Sequence, residues 1–265
     1  MNTSSAIEVT NLRKTYFDEY ANSDVTAIGD VSFTVNQGEF VSILGPSGCG
    51  KTTVLNIIAG FIKQSSGRVF VANTEVKGPG PDRGVVFQSF ALFPWKTALQ
   101  NVAFGLKVRG VAKEERERIA EEYLQIVGLG GMSGKYPHEM SGGMQQRVGV
   151  ARVLANSPEV MLMDEPFASV DAQTRVSLQE DLTKVWEERR PTVFFVTHDV
   201  EEAIFLSDRI LVLSSRPSTV KEIITVDIPR PRRWDDLLED QKFRQLAHYI
   251  FGLLGHRTRA GANAG

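Results

Sequence analysis

The feature that most constrains this chain is a glycine-rich run that stands between a strand pattern and a helix pattern. Residues 45–52 read Gly-Pro-Ser-Gly-Cys-Gly-Lys-Thr and fit G-x-x-x-x-G-K-[ST] at every fixed position. The mostly apolar run 40–44 before it is typical of a buried strand, and residues 51–59 after it carry apolar side chains at helical spacing until Gly60. Such a loop aims backbone N–H groups and the positive end of a helix at phosphate oxygens. The sequence therefore predicts a phosphate-binding loop, with an ordinary glycine-rich turn as the alternative.

Individual positions of this loop have predicted tasks at a bound nucleotide. Lys51 would reach the β- and γ-phosphates, and the Thr52 hydroxyl would ligate Mg²⁺. The helix dipole could lower the pKa of the Cys49 thiol, but a small residue that fits the loop is favoured over a redox role. The nucleotide-binding candidates of the loop are Gly45, Pro46, Ser47, Gly48, Cys49, Gly50, Lys51, Thr52 and Thr53.

Two adjacent carboxylates follow the apolar run 160–163. At the end of a buried strand, Asp164 would lie near the phosphate loop and hold Mg²⁺ directly or through water. Glu165 would face the other way on an extended chain and could orient and deprotonate an attacking water. A plain strand terminus is the alternative, but together with the upstream loop the pair favours nucleotide hydrolysis.

Composition excludes several classes of protein. The net charge is -2, from 30 basic and 32 acidic residues, so no nucleic-acid partner is expected. The single cysteine cannot form an intramolecular disulfide. The longest apolar runs are a few residues each, whereas a membrane-spanning helix needs roughly 20, and the polar N-terminus lacks the pattern of a secretory signal. We expect a soluble, cytoplasmic protein that reaches a membrane only through a partner.

Strand-like and helix-like segments alternate along the chain, which predicts an α/β fold with a largely parallel sheet. Further strands are predicted at residues 7–9, 31–35, 193–196 and 210–213. Further helices are predicted at about residues 113–127, 143–155, 173–189 and 241–254, with another that begins near residue 200.

A second glycine pair precedes a predicted helix, in the run Ser-Gly-Gly-Met-Gln at residues 141–145. Hydroxyl and backbone N–H donors at a helix start can bind phosphate, although a helix cap formed by Ser141 is the alternative. One nucleotide cannot easily use two such sites of one chain, whereas two chains arranged head to tail could each supply one. This run resembles the signature motif of the ATP-binding cassette (ABC) ATPase family. The resemblance adds Ser141, Gly142, Gly143 and Gln145 as nucleotide-binding candidates.

The resemblance covers about residues 7–226, and other family elements appear in order. Tyr16 stands where the family stacks an aromatic ring on adenine. Gln88 matches the Q-loop, which approaches Mg²⁺ and the attacking water and senses the transporter, while residues 169–171 resemble the D-loop and His198 the switch histidine at the γ-phosphate. Taken alone, each has an ordinary structural interpretation. The implied catalytic residues are Glu165, His198 and Gln88, and the implied metal ligands are Thr52, Gln88 and Asp164.

The implied fold is a P-loop NTPase with a RecA-like core, an N-terminal antiparallel β-subdomain and an inserted helical subdomain. We expect one cassette over the whole chain. Its predicted parts are a core at about 1–88 and 156–228, a helical subdomain at about 89–155, a C-terminal helical extension at about 229–256 and a tail at 257–265. The Phe-Pro-Trp run at 93–95 either meets a membrane subunit or packs inside the helical subdomain.

The implied activity is ATP hydrolysis with Mg²⁺ at two shared sites of a homodimer. The implied partners are transmembrane permease subunits and, through the complex, a periplasmic or lipid-anchored solute-binding protein, at the cytoplasmic face of the inner membrane. Residues 92–95, 214–217 and 228–232 resemble the nitrate, sulfonate and taurine importers. A soluble cassette ATPase of DNA repair or translation is the alternative, and a phosphate-loop kinase leaves residues 141–145 unexplained. The arginines at 230–233 are interpreted as a solvated basic turn in preference to a membrane or regulatory contact.

Overall fold

The computed structural model describes residues 5–20 and 22–255. Its strands are Ser5–Asp18 (β1), Ser23–Asn36 (β2), Phe40–Leu44 (β3), Ser66–Val71 (β4), Thr74–Glu75 (β5), Arg83–Val86 (β6), Val160–Asp164 (β7), Thr192–Val196 (β8), Arg209–Leu213 (β9) and Ser218–Thr225 (β10). Its helices are Lys51–Ala59 (α1), Ala98–Val102 (α2), Phe104–Val108 (α3), Lys113–Ile126 (α4), Gly142–Leu154 (α5), Ala172–Arg189 (α6), Val200–Leu206 (α7), Trp234–Glu239 (α8) and Gln241–Leu253 (α9), with a 3₁₀ turn at Pro137–Glu139. Within the described residues, none of these helices has the length and apolar character to cross a bilayer.

The chain divides into two compact units. The first contains the described residues up to Pro79 and those from Phe194 onward, and the second is Gly80–Val193. In the first unit, β1 pairs antiparallel with β2 and with β4, and β4 pairs antiparallel with β5. Strand β10 then joins β2 in parallel and β9 antiparallel, and β3 lies parallel to β9. The N-terminal antiparallel β-subdomain is thereby confirmed, while the predicted subdomain boundaries stay a prediction.

Burial explains why the strands next to β3 form where they do. All five residues of β3 are buried, as are four of the five in β9, and parallel strands covered on both faces read as near-continuous apolar runs. Phe33 stacks on Phe194 at 5.4 Å between ring centroids, which contributes to the core of this unit.

The β1–β2 hairpin is longer than its apolar pattern indicates. The alternation at residues 7–9 and 31–35 predicts short strands, but pairing continues through Tyr16↔Val25 to Asp18↔Ser23. Much of this extension faces water rather than the core, and Phe17 is 62% exposed. Residues 17–18 and 23–26 are therefore part of the two strands.

In the second unit, β6 and β7 pair in parallel from Arg83↔Val160 to Val86↔Met163. The first four residues of β7 are buried, in agreement with the predicted strand at 160–163. Helices α4, α5 and α6 begin and end within one residue of their predicted bounds. Helices α2 and α3 are missing from the sequence prediction because five-residue helices are too short to display a period; α2 is instead fixed by a capping box between Thr97 and Gln100.

Candidate functional site

The phosphate loop has the strand–loop–helix context that its motif requires. Strand β3 ends at Leu44 and α1 begins at Lys51. Gly50, the residue before the helix, has φ +104°, a left-handed conformation that favours glycine. Among the described residues, the backbone N–H groups of Gly48 and Gly50 have no protein acceptor, so the loop presents donors to an anion at the start of a helix.

Lys51 is buried, with 7% of the residue exposed, and its side chain turns back over the loop. Its Nζ atom donates to the carbonyl of Gly45 at 2.8 Å and lies 3.3 Å from that of Pro46. The ammonium group is thus held above the loop backbone, while the residue that follows, Thr52, is exposed. This arrangement fits a phosphate chain that lies along the loop.

Cys49 is buried, with 1% exposed. Burial raises the pKa of its thiol, and the nearby Lys51 charge only partly opposes that effect. The interpretation as a small residue that fits the loop agrees with this environment, whereas a reactive thiolate requires a lowered pKa and exposure.

His198 follows β8 in the same unit as the phosphate loop and is exposed. The N–H of the preceding Thr197 donates to the Ile43 carbonyl at 3.4 Å, so this segment lies beside the strand that leads into the loop. The Asp199 carboxylate accepts the backbone N–H groups of Glu201 and Glu202 at 2.9 and 3.1 Å, which caps α7. His198 is therefore carried on a short, well-anchored turn.

Asp164 and Glu165 stand at the carboxyl end of β7, and both are half-buried. The expected extended backbone at Glu165 is wrong: this residue has φ +44°, in the left-handed region. Its carbonyl accepts the N–H of Ala168 at 3.1 Å, so the chain turns directly after the strand. The two carboxylates are separated by a turn of the backbone rather than by the alternation of a strand.

The second unit brings Gln88 close to the residues that follow β7. Because β6 and β7 are parallel and in register at Val86↔Met163, their carboxyl ends meet at one edge. The Ser169 hydroxyl donates to the backbone carbonyl of Gln88 at 3.1 Å, which ties the D-loop-like run to this residue. The Gln88 side chain itself is exposed.

The residues after Gln88 are fixed by an arginine that the sequence analysis missed. Phe90 and Ala91 have φ +54° and +47°, and Arg152 of α5 donates to their carbonyls at 3.2 and 2.6 Å. Burial lowers the pKa of Arg152. The available signal was a charged residue four positions after Val148, on the buried face of an otherwise amphipathic helix.

The signature-like run forms the start of α5. Ser141 is the N-cap and accepts the N–H of Met144 at 3.3 Å, so the helix-cap interpretation holds. The Gln145 amide donates to the carbonyls of Pro137 and Met140 at 3.0 and 3.2 Å. Gly142 is half-buried and Gly143 buried. The nucleotide contacts of these residues stay a prediction.

Tyr16 lies on β1 opposite Val25 and is 39% exposed. The Lys14 ammonium stands 4.7 Å from the centroid of its ring. One face of the ring is thus engaged by a cation of its own strand, and stacking on adenine stays a prediction.

The Phe-Pro-Trp run is packed at one end and exposed at the other, and its contact with a membrane subunit stays a prediction. Phe93 packs on Phe104 at 4.5 Å between centroids, inside the helical part of the second unit. Trp95 is 70% exposed. Asn101, which is fully buried, donates to the carbonyls of Phe93 and Lys96 and thereby holds this loop.

The interpretation of residues 230–233 as a solvated basic turn is wrong. Arg232 is 6% exposed, and its guanidinium contacts backbone carbonyls at the end of α7. Arg230 pairs with Asp208 at 3.1 Å. Only Arg233 of the three is exposed. Arg232 is buried and Arg230 is half-buried because they satisfy carbonyl oxygens that no sequence pattern reveals.

The predicted site residues divide between the two units. The phosphate loop, Tyr16 and His198 belong to the first, and the remaining predicted residues belong to the second. Donors of the loop suit the phosphates of a nucleotide, and the hydroxyl, carboxylate and amide oxygens of Thr52, Asp164 and Gln88 are the ligand type that Mg²⁺ prefers. The residues present therefore fit both ATP and Mg²⁺.

Comparisons with known proteins agree with this chemistry. A family model described as ABC transporter matches residues 28–168. An uncharacterised ABC transporter ATP-binding protein of Methanocaldococcus jannaschii is 52% identical over 85% of this chain and 84% of its own length. A nitrate import ATP-binding protein of Synechococcus elongatus is 44% identical over 83% of this chain and 81% of its own length. A bicarbonate transport ATP-binding protein of Synechocystis is 42% identical over 96% of this chain and 91% of its own length.

Among solved structures, a dimeric ATP-binding cassette in a post-hydrolysis state with ADP and Pi superposes with a TM-score of 0.73. The two sequences are 35% identical, and the match covers 84% of this chain and all of that one. Fold, phosphate loop and family model lead to one assignment. The chain belongs to the ABC transporter family and is one of its ATP-binding subunits, which are ATPases.

Proposed function

We propose that the chain is the ATP-hydrolysing subunit of a bacterial ABC importer for a small solute such as nitrate, a sulfonate or taurine. The observation that carries ATP hydrolysis is the phosphate loop, in which the backbone donors of Gly48 and Gly50 accompany the Lys51 ammonium at the start of α1. Relatives named for nitrate import and bicarbonate transport support the importer and the small-anion class.

Each residue of the proposed mechanism acts by binding, orienting or moving a proton. Lys51 and the loop N–H groups bind the phosphates, and the aromatic ring of Tyr16 stacks on the adenine base. Thr52, Asp164 and Gln88 would hold Mg²⁺, which neutralises phosphate charge when bound. Glu165 accepts the proton of the attacking water, and His198 stabilises the γ-phosphate as the bond to the leaving oxygen breaks.

We further propose a head-to-tail homodimer, in which Ser141, Gly142, Gly143 and Gln145 of one chain meet the nucleotide of its partner. A similar cassette was solved as a dimer with ADP and Pi, which supports this assembly. ATP would link the two chains because its phosphate charge is neutralised on both sides, and hydrolysis would release that link. Permease subunits at the cytoplasmic face of the membrane would use the cycle, and a solute-binding protein would join through them.

The competing function is that of a soluble cassette ATPase in DNA repair or translation. It shares the ATP chemistry, so the partner decides between the two. Trp95, 70% exposed on the second unit, gives the importer a side chain for contact with a membrane subunit.

The test is purification of Glu165→Gln protein from its native cells in detergent with ATP, followed by mass spectrometry. Lys51→Ala protein is the matched control, because it loses the phosphate contact while the remaining surface is kept. Recovery of a multi-spanning permease with Glu165→Gln supports the importer. Recovery of ribosomes, DNA-repair factors or no stoichiometric membrane protein would exclude the transport role and leave the ATPase chemistry intact.

A further inference from the structure

Two arginines after β10 satisfy the carbonyl end of α7. The last carbonyls of a helix have no partner within the helix. Arg232 Nη1 lies 2.7 Å from the Ile204 carbonyl, 3.0 Å from that of Phe205 and 2.8 Å from that of Ser207. Arg230 Nη2 donates to the carbonyl of Leu206, which lies between Phe205 and Ser207 in the chain. Four consecutive carbonyl oxygens are therefore bound by guanidinium groups.

Burial makes this contact hard to replace. Ile204, Phe205 and Leu206 are all fully buried, so water cannot take over their carbonyls without a rearrangement. The positive charge also lies at the negative end of the helix dipole. The planar guanidinium suits several acceptors at fixed positions, which an ammonium group cannot match.

The other end of α7 holds the His198 turn. Thr197 and Glu202 are both buried, and the Thr197 hydroxyl donates to the Glu202 carboxylate. Asp199 caps the first turn through the N–H groups of Glu201 and Glu202. His198 is thus flanked by two residues whose side chains are bonded to α7.

The helix between these ends is short. Its seven residues span roughly 10 Å at 1.5 Å per residue, so a shift at its carboxyl end reaches the His198 turn. Trp234, which begins α8, stacks on Phe205 at 4.5 Å and 2° between planes and meets Phe243 of α9 edge-on. The segment that carries Arg232 therefore packs on α7 through several side chains.

We propose that Arg232 is a positioning residue for His198: by binding the carboxyl end of α7, it sets the place of the histidine turn at the other end. The proposal rests on the proposed role of His198 at the γ-phosphate. Arg232 contacts neither nucleotide nor metal in this scheme and acts only through the helix.

Steady-state ATP hydrolysis by the full chain tests this, with Arg232→Ala, Arg232→Lys and the exposed neighbour Arg233→Ala as matched control. Arg232→Ala is expected to lower kcat by about 10- to 100-fold, the effect of a misplacement of about 1 Å, while KM for ATP changes less than about twofold. Arg232→Lys recovers part of the loss because it keeps the charge, and Arg233→Ala changes neither parameter. A KM effect without a kcat effect contradicts the proposal. So does failure of both Arg232 variants to fold.

A double-mutant cycle with His198→Ala separates positioning from a general loss of stability. If Arg232 acts through His198, Arg232→Lys lowers kcat in the natural chain and has no further effect in the His198→Ala background. Equal effects in both backgrounds overturn the proposal. If His198→Ala alone keeps full kcat, the proposed role of His198 at the γ-phosphate is wrong. That result is distinct from a failure of the coupling between Arg232 and His198.

Histidine NMR supplies a readout that is independent of activity. The imidazole signals of ¹³C-labelled histidine should show a shift of His198 in Arg232→Lys, whereas His138 of the second unit serves as the internal reference and stays in place. An unmoved His198 signal contradicts the coupling even if activity falls.

Discussion

Gly143 of the signature-like run allows α5 to approach α6 closely, and Gly143→Ala tests that approach. An added Cβ would lie 2.5 Å from Thr174 Cγ2, whereas carbon atoms pack best at about 3.5–4.0 Å. Thr174 lies in the first turn of α6, where its backbone N–H donates to the Asp171 carboxylate at 3.0 Å and lowers the pKa of that carboxyl. Overpacking of this kind destabilises by about 1–3 kcal/mol, against a helix-propensity gain of up to ~1 kcal/mol for alanine. The expected net loss is about 1 kcal/mol.

Thr174→Ser removes the clashing methyl and keeps the hydroxyl. The nearest atoms to the added Cβ are then Leu178 Cδ1 and residue 174 Cβ, both at 3.9 Å, an ordinary contact. Gly143→Ala should therefore become neutral or stabilising in the Thr174→Ser background, with a coupling free energy of about 1–3 kcal/mol. Urea unfolding of the four proteins measures it. Gly142→Ala is the matched control, since its Cβ would lie 3.5 Å from Phe90. Additive effects of the two substitutions would refute the close approach.

Two further predictions concern the phosphate loop. Lys51→Ala should weaken ATP binding by about 10- to 100-fold, since a hydrogen bond to a charged group contributes about 1.5–3 kcal/mol. Calorimetry measures the affinity, with Lys63→Ala at an exposed position as the control. Unaltered affinity would remove Lys51 from the phosphate contact. At pH 8, Cys49 should react with a thiol reagent slowly in the folded protein and rapidly in urea, because burial raises the pKa of the thiol and leaves little thiolate. Fast labelling of the native protein would contradict this environment.

Elements with a strong apolar pattern could be predicted from the sequence. Strand β3 and helix α1 have the predicted bounds, and β7, β8 and β9 each begin or end within one residue of them. These segments are buried on both faces or carry a clear helical stripe, so local pattern and tertiary packing demand the same structure. The phosphate loop belongs to this class, because its motif fixes both neighbours.

Features that depend on distant partners could not be predicted. Arg232 reads as one of three arginines among prolines, and its acceptors lie some 25 residues earlier, at the end of α7. Glu165 has a left-handed backbone that alternation along a strand does not foresee. Pairing from Tyr16 to Asp18 extends the hairpin beyond its alternating apolar pattern. In each case, a contact or a turn overrides the local pattern.

The central claim, that this chain hydrolyses ATP with Glu165 as the base, is tested most directly by ATP turnover and ATP-dependent dimerisation of Glu165→Gln. The account predicts that Glu165→Gln binds ATP but turns it over ~10²–10⁴-fold more slowly. In ATP this variant should remain a dimer, whereas the natural chain should return to monomers as it hydrolyses the nucleotide. Size-exclusion chromatography with light scattering reports the dimer, and phosphate release reports turnover. Hydrolysis by Glu165→Gln at the rate of the natural chain would contradict the account.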